Sequence, residues 1–179
     1  MIDHLKSRHF YNFERTLHID NDVVVFPIWN LSGQLIGYQN YRPDKPKDHY
    51  SPNNLEIKYF TKMGRIDGKT HIGVWGLETY SPHKRLFLTE GIFDACRLHN
   101  FGESAIACLG SNPKNIKNWL SILPNFTVAI CDGDSAGNRL TVYTKAYYTC
   151  PTDLDLGDFN DIQIQEILDN LKEKPCNDE

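Results

Sequence analysis

Leu86-Phe87-Leu88-Thr89-Glu90-Gly91-Ile92-Phe93-Asp94-Ala95 is an apolar run that ends on a carboxylate and a glycine. About forty residues later Ile130-Cys131-Asp132-Gly133-Asp134-Ser135-Ala136-Gly137 repeats the arrangement with two carboxylates. Each run is short and β-rich, as a strand buried on both faces of a parallel sheet would be. In an open α/β sheet, ligands bind beyond the carboxyl ends of the strands. Glu90, Asp132 and Asp134 are delivered to that edge. Three carboxylates gathered there repel one another unless a hard cation sits among them. The pattern predicts a Mg²⁺ site, open to Mn²⁺ as a substitute, and such sites serve phosphate chemistry.

Outward from this stretch the elements alternate. Ile92 to Asn100 predicts a helix, stopped by Phe101-Gly102. Ser104 to Leu109 predicts a strand. Lys114 to Leu123 predicts a helix with Ile116, Trp119, Leu120 and Leu123 on one face. Phe126 to Cys131 is the next strand, and Tyr147 to Pro151 allows a fourth. Ile162 to Lys172 predicts a terminal helix. The β-α-β-α-β order argues for a parallel sheet. The first half differs. Leu5 to Leu17 is mixed and allows a helix. Val23 to Trp29 and Gln34 to Gln39 read as a hairpin around Asn30-Leu31-Ser32-Gly33. Pro43 to Pro52 is a loop, Lys58 to Thr61 a short strand, and Ser81-Pro82 a boundary.

The formal charge of −4 divides unevenly. From Asn40 to Arg85, nine Lys or Arg face five acids; the remainder holds ten bases and eighteen acids. A basic segment thus stands beside an acidic one, although charge alone fits a solvated loop equally well. The five cysteines include no C-x-x-C pair, so no zinc site is predicted. Cysteines set in apolar runs suit a reducing cytoplasm. The polar start Met1-Ile2-Asp3-His4 and the lack of a long apolar run predict no membrane association.

The two carboxylate motifs, in this order, resemble the Toprim domain. That domain is shared by DnaG-type primases, type IA and II topoisomerases, OLD-family nucleases and small RNA-maturing nucleases. The resemblance covers about Arg85 to Asp161. Upstream, Phe26-Pro27-Ile28, Gly33-Gln34-Leu35-Ile36-Gly37, Arg42, Lys58-Tyr59 and Gly73-Val74-Trp75-Gly76-Leu77 resemble the lead-in of bacterial and phage-type DNA primases. Downstream, Leu156-Gly157-Asp158-Phe159-Asn160-Asp161 resembles their Gly-Lys-Asp-Pro-Asn-Asp segment. Gly157 and Phe159 depart from it. So does Asn138 to Ala146, which is too short for the full helix that follows this motif in those enzymes.

The resemblance implies an α/β fold: a Toprim-type parallel sheet flanked by helices, preceded by a small α+β basic lobe. It implies a lobe over 1–84, a Toprim domain over 85–161 and a C-terminal helix and tail over 162–179. The implied activity is synthesis of RNA primers on a single-stranded DNA template from ribonucleoside triphosphates. Glu90 would be the general base, Asp132, Asp134 and Asp158 the Mg²⁺ ligands, and Asp94 a supporting acid. Arg42, Lys58 and Arg65 would hold triphosphate or template phosphates. Lys62, Lys69 and Lys84 read as solvated charges, and Gly110-Ser111 as a turn near the site. Start-site reading would fall to a helicase or a zinc-bearing replisome subunit, because no Cys or His cluster here can do it. The bland alternatives are an Asx turn at Asp132-Gly133-Asp134, a first-turn helix acid at Glu90, and a surface acid at Asp94. A Toprim nuclease and a non-catalytic replication factor are the competing functions.

Overall fold

The structure is a computed structural model, described over residues 1–47, 55–66, 68–70, 72–109, 113–133 and 137–172. Contacts divide the chain into two compact units, Met1–Trp75 and Gly76–Glu179.

The first unit opens with α1 (Ile2–Ser7) and a 3-10 turn at Phe13–Arg15. The helix allowed over Leu5 to Leu17 is therefore cut short. His9 takes a left-handed φ of 58°, and the chain turns there to bury Phe10. The strands β1 (His18–Ile19), β2 (Val24–Trp29), β3 (Leu35–Tyr41) and β4 (Tyr59–Met63) form an antiparallel sheet in that order. The β2–β3 turn is built by Asn30, whose Oδ1 accepts from Ser32 N and Gln34 N, with Gly33 at φ 75°. Val24, Phe26, Ile28 and Tyr41 are buried on one face. Phe10 and Trp75 pack edge-on and tilted around Phe26, centroids 5.4 to 6.2 Å apart. A two-residue pairing of β5 (Arg65–Ile66) with β6 (Lys69–Thr70) follows.

The second unit carries β7 (Leu86–Thr89), α2 (Ile92–His99), β8 (Ser104–Ala107), α3 (Lys117–Ile122), β9 (Thr127–Cys131), β10 (Ala146–Thr149) and α4 (Asp161–Lys172). All sheet pairings are parallel, in the order β10-β9-β7-β8. Every residue of β7, β8 and β9 is buried, which explains their unbroken apolar runs. Gly102, at φ 76°, ends the α2 turn where the sequence predicted a stop. The segment after Gly137 is a 3-10 helix, Gly137–Tyr143, so the full helix is absent as expected. Among the described residues, no helix is long and apolar enough to cross a membrane.

The division at Trp75/Gly76 differs from the boundary read at Ser81-Pro82, and hydrogen bonds explain why. Ser104 Oγ donates to Thr79 O (2.6 Å), and Tyr80 OH donates to Asn125 Oδ1 (2.9 Å). Asn125 Nδ2 in turn donates to Ser81 O (2.7 Å) and Lys84 O (2.6 Å). These bonds stitch the segment to the parallel sheet. The C-terminal helix joins the same unit, where Arg85 Nη1 donates to Leu168 O (3.2 Å).

Candidate active site

The order β10-β9-β7-β8 creates a switch point. From β7 the chain crosses through α2 to β8 on one side, while β9 pairs with β7 on the other. Between β7 and β9 the connections diverge and leave a crevice beyond the carboxyl ends. Glu90 is the first residue after β7, and Asp132 the first after β9. Topology alone therefore brings these two predicted residues to one crevice.

Local chemistry fixes both turns. Thr89 is fully buried, and its Oγ1 donates to Gly91 O (2.9 Å), holding the β7–α2 corner. A Cβ on Gly91 would lie 2.8 Å from Asp94 Oδ2, so the glycine makes room for that carboxylate. Asp94 is 7 % exposed, and both Glu90 Oε1 and Asp94 Oδ1 are shut off from solvent. The Asp132 corner is locked from the other side. Gly133 N donates to Leu154 O (3.1 Å) and Cys150 N to Cys131 O (2.9 Å). A Cβ on Gly133 would run into the Pro151 carbonyl, so only glycine fits.

Three thiols, Cys131 and Cys150 buried and Cys108 partly so, register the same acids. Burial pushes the Cys108 thiol up to about 12, and Glu90 adds to it. Cys131 rises to about 11 through burial, then Glu90 and Asp132. Cys150 rises to about 12 through burial, then Asp94, Asp132 and Asp155. Glu90 thus acts on Cys108 and Cys131, Asp132 on Cys131 and Cys150, and Asp94 and Asp155 on Cys150. Asp155 and the cysteines were missed as site neighbours on sequence; the Asp-Leu-Asp-Leu-Gly-Asp string offered Asp155 only as one acid among several.

Asp158 is exposed, and its Oδ2 accepts from Asp155 N (2.9 Å), while Asp155 Oδ1 accepts from Gly157 N (2.7 Å). The pair forms a capping box around the turn Leu156–Asp158. Arg97, also missed on sequence, is 2 % exposed and anchors the next residues. Its Nη2 donates to Phe159 O (2.8 Å) and pairs with Asp161 Oδ1 (2.7 Å). Asp134, Gly110 and Ser111 lie outside the described residues.

In the first unit, Arg42 and Lys58 are neighbours across the β3–β4 ladder, where Arg42 N donates to Lys58 O (2.8 Å). Arg65 stands apart on β5 and is exposed. Burial, then Arg8 and Lys58, lower the pKa of His4, whose Nε2 lies 2.7 Å from Tyr41 OH. Arg8 is a further base in this neighbourhood, and no motif in the sequence singles it out.

No protein-family model matches the sequence, and no curated protein is similar to it by sequence. Solved structures do match. The zinc-binding and RNA polymerase domains of Aquifex aeolicus primase are 23 % identical at a TM-score of 0.61, over 95 % of this chain and 47 % of that one. The primase fragment of the bacteriophage T7 primase-helicase is 14 % identical at 0.60, over 86 % and 66 %. A DnaG primase catalytic domain bound to single-stranded DNA is 17 % identical at 0.58, over 93 % and 60 %. The fold is that of a primase catalytic core. The chain spans about half the length of the Aquifex structure and under two thirds of the other two.

Proposed function

We propose that this chain is the RNA-polymerising core of a DNA primase, joining ribonucleotides on a single-stranded DNA template. The observation that carries the proposal is the meeting of Glu90 and Asp132 at the switch point of a sheet with the primase-core fold. The donors present are carboxylate oxygens, which suit Mg²⁺ and not a soft metal. Gly91 and Gly133 set the two turns: the first admits the Asp94 carboxylate, the second the Pro151 carbonyl. Among the described residues no three His, Cys, Asp or Glu side chains form a ready-made metal cage.

Asp132 and Asp134, with Asp158, would hold Mg²⁺, which when bound neutralises charge on the triphosphate. Glu90 would take the proton of the attacking 3′-hydroxyl. Its Oε1 is shielded from solvent. Asp94, one helical turn on, would be a supporting acid at the same corner. Arg42, Lys58 and Arg65 would grip phosphates of nucleotide or template. A reducing cytoplasm and a helicase or zinc-bearing partner complete the reading, because phosphate contacts carry no base identity.

The test is incubation with Mg²⁺, single-stranded DNA and labelled ribonucleoside triphosphates, alone and with candidate replisome proteins. Labelled oligoribonucleotides that vanish with EDTA are expected. Shortened template without new RNA would instead mark a nuclease. Metal binding without either product, under all conditions, would leave a non-catalytic factor.

A further inference from the structure

The register of β3 and β4 sorts their residues into two faces. Tyr38 pairs with Lys62, and Asn40 with Phe60. One step on, the Arg42 N to Lys58 O bond continues the ladder. Because side chains alternate along a strand, Tyr38, Asn40, Arg42, Lys58, Phe60 and Lys62 share one face. The opposite face is independently fixed. It carries the Gln39 Nε2 to Thr61 Oγ1 bond (2.8 Å), the Tyr41–Tyr59 ring contact (5.2 Å) and the buried Phe26 and Ile28.

The six-residue face is unlike an ordinary wet side of a sheet. Lys62 is exposed, and the other five are partly exposed. Tyr38 and Phe60 are diagonal neighbours on adjacent strands, within reach of consecutive flat ligands. Neither ring packs on another ring among the described residues. No residue of β2, β3 or β4 is acidic. Two stacking surfaces, an amide and three cations on one acid-free sheet face suit a polyanion whose bases are unpaired and can lie flat on rings.

We propose that the Tyr38–Phe60 face of β3 and β4 is a stacking platform for single-stranded DNA. Successive bases lie on Tyr38 and Phe60, and Arg42, Lys58 and Lys62 track the phosphates. Lys62 thereby changes from a solvated charge to a contact residue. The inference rests on the primase reading only for the choice of DNA as the strand.

The experiment is fluorescence anisotropy of a labelled oligo(dT) with the full chain across a salt series. Tyr38→Ala and Phe60→Ala should each weaken binding on the order of tenfold, while Tyr38→Phe and Phe60→Tyr keep it, because stacking needs a ring and not a hydroxyl. Lys62→Gln should reduce the log–log salt slope by about 0.7. Oligonucleotides carrying bromodeoxyuridine should photo-crosslink to Tyr38 or Phe60. The platform is overturned if the alanine variants, folded by circular dichroism, bind as the parent does. It is equally overturned if the ring-preserving variants lose binding with them, or if duplex of the same length competes as well as single strand. Failure of the primase reading is visible separately: stacking-dependent binding without any RNA synthesis would keep the platform and remove the polymerase.

Discussion

The two units put chemistry on different parts of a sheet. In the second unit, β7, β8 and β9 are buried on both faces, so no strand residue can meet a ligand. The proposed chemistry therefore falls to the first residues past the strand ends, Glu90 and Asp132. In the first unit, the antiparallel sheet buries one face and leaves the other partly open. Chemistry there lies along the strands. Charge follows the same division. Met1–Trp75 holds ten Lys or Arg against eight acids, and Gly76–Glu179 nine against fifteen. A basic face suited to holding phosphates and an acidic edge suited to metal-assisted transfer are thus built by two sheet types in one chain.

The largest effect that tests this contrast is catalytic. Glu90→Gln keeps the shape of the strand end but removes its base. Primer synthesis should fall roughly 10²- to 10⁴-fold. Lys62→Gln on the open sheet face should change apparent substrate affinity far more than turnover. Rates and KM values for both variants would check the division. Equal losses of turnover in both would erase it.

The next effect concerns alkaline pH and belongs to the second unit, which holds all five cysteines. Cys108, Cys131 and Cys150 sit at about 12, 11 and 12, above their ordinary 9.0. The folded state therefore keeps protons that the unfolded chain releases first. The stabilisation is complete below pH 9 and is lost as pH rises from there toward 11 and 12. Each thiol should remove up to about 1.4 kcal/mol per pH unit in that window. Urea unfolding at pH 8 and pH 10 measures it, and Cys131→Ala should flatten the slope.

A smaller loss is expected from Arg97→Met. It keeps the packing of the stem but removes the bonds to Phe159 O and Asp161. Asp161 is exposed, so the ion pair itself is weak, and the unsatisfied buried carbonyl dominates at about 1–3 kcal/mol. Thermal unfolding of the variant gives the number. Because Arg97 anchors the segment that carries Asp158, a lowered Mg²⁺ affinity should accompany it.

The second unit was the more legible of the two. Leu86 to Thr89 and Thr127 to Cys131 are apolar without interruption, so their ends, and the acids on them, could be read directly. Sheet order could not, because parallel neighbours are chosen by long-range packing. Asp155 and the capping of Asp158 depend on a turn too local and too acidic to parse. In the first unit the strands of the hairpin were legible, yet the shared face of Tyr38, Phe60 and Lys62 was not. It depends on the register of two strands separated by seventeen residues, between Tyr41 and Tyr59, which no local pattern fixes. Helix α1 ended early because His9 accepts a left-handed φ, a choice made by burial of Phe10 and not by propensity.

The smallest predicted effect gives the first unit the opposite pH flank. His4 stacks on Tyr41 and lies 2.7 Å from its hydroxyl. Burial lowers its pKa from 6.5, Arg8, Lys58 and the N-terminal amino group lower it further, and Asp44 alone opposes them. The folded state thus holds the neutral ring, whereas the unfolded chain protonates near 6.5. A group that binds fewer protons when folded contributes stability that is present above the unfolded pKa and is lost as pH falls below it. The first unit should therefore soften on mild acidification, a range in which the raised thiols of the second unit do not titrate. His4→Gln retains a polar group within reach of Tyr41 but cannot titrate. Its thermal midpoint should change less than that of the parent between pH 7.5 and pH 5.5. Hydrogen exchange can locate the change, with faster exchange expected in β3 and β4 and none in β7 or β9. Equal acid sensitivity in parent and variant would remove His4 as the cause. Acid-induced exchange in β7 and β9 would show instead that the two sheets do not respond to pH separately.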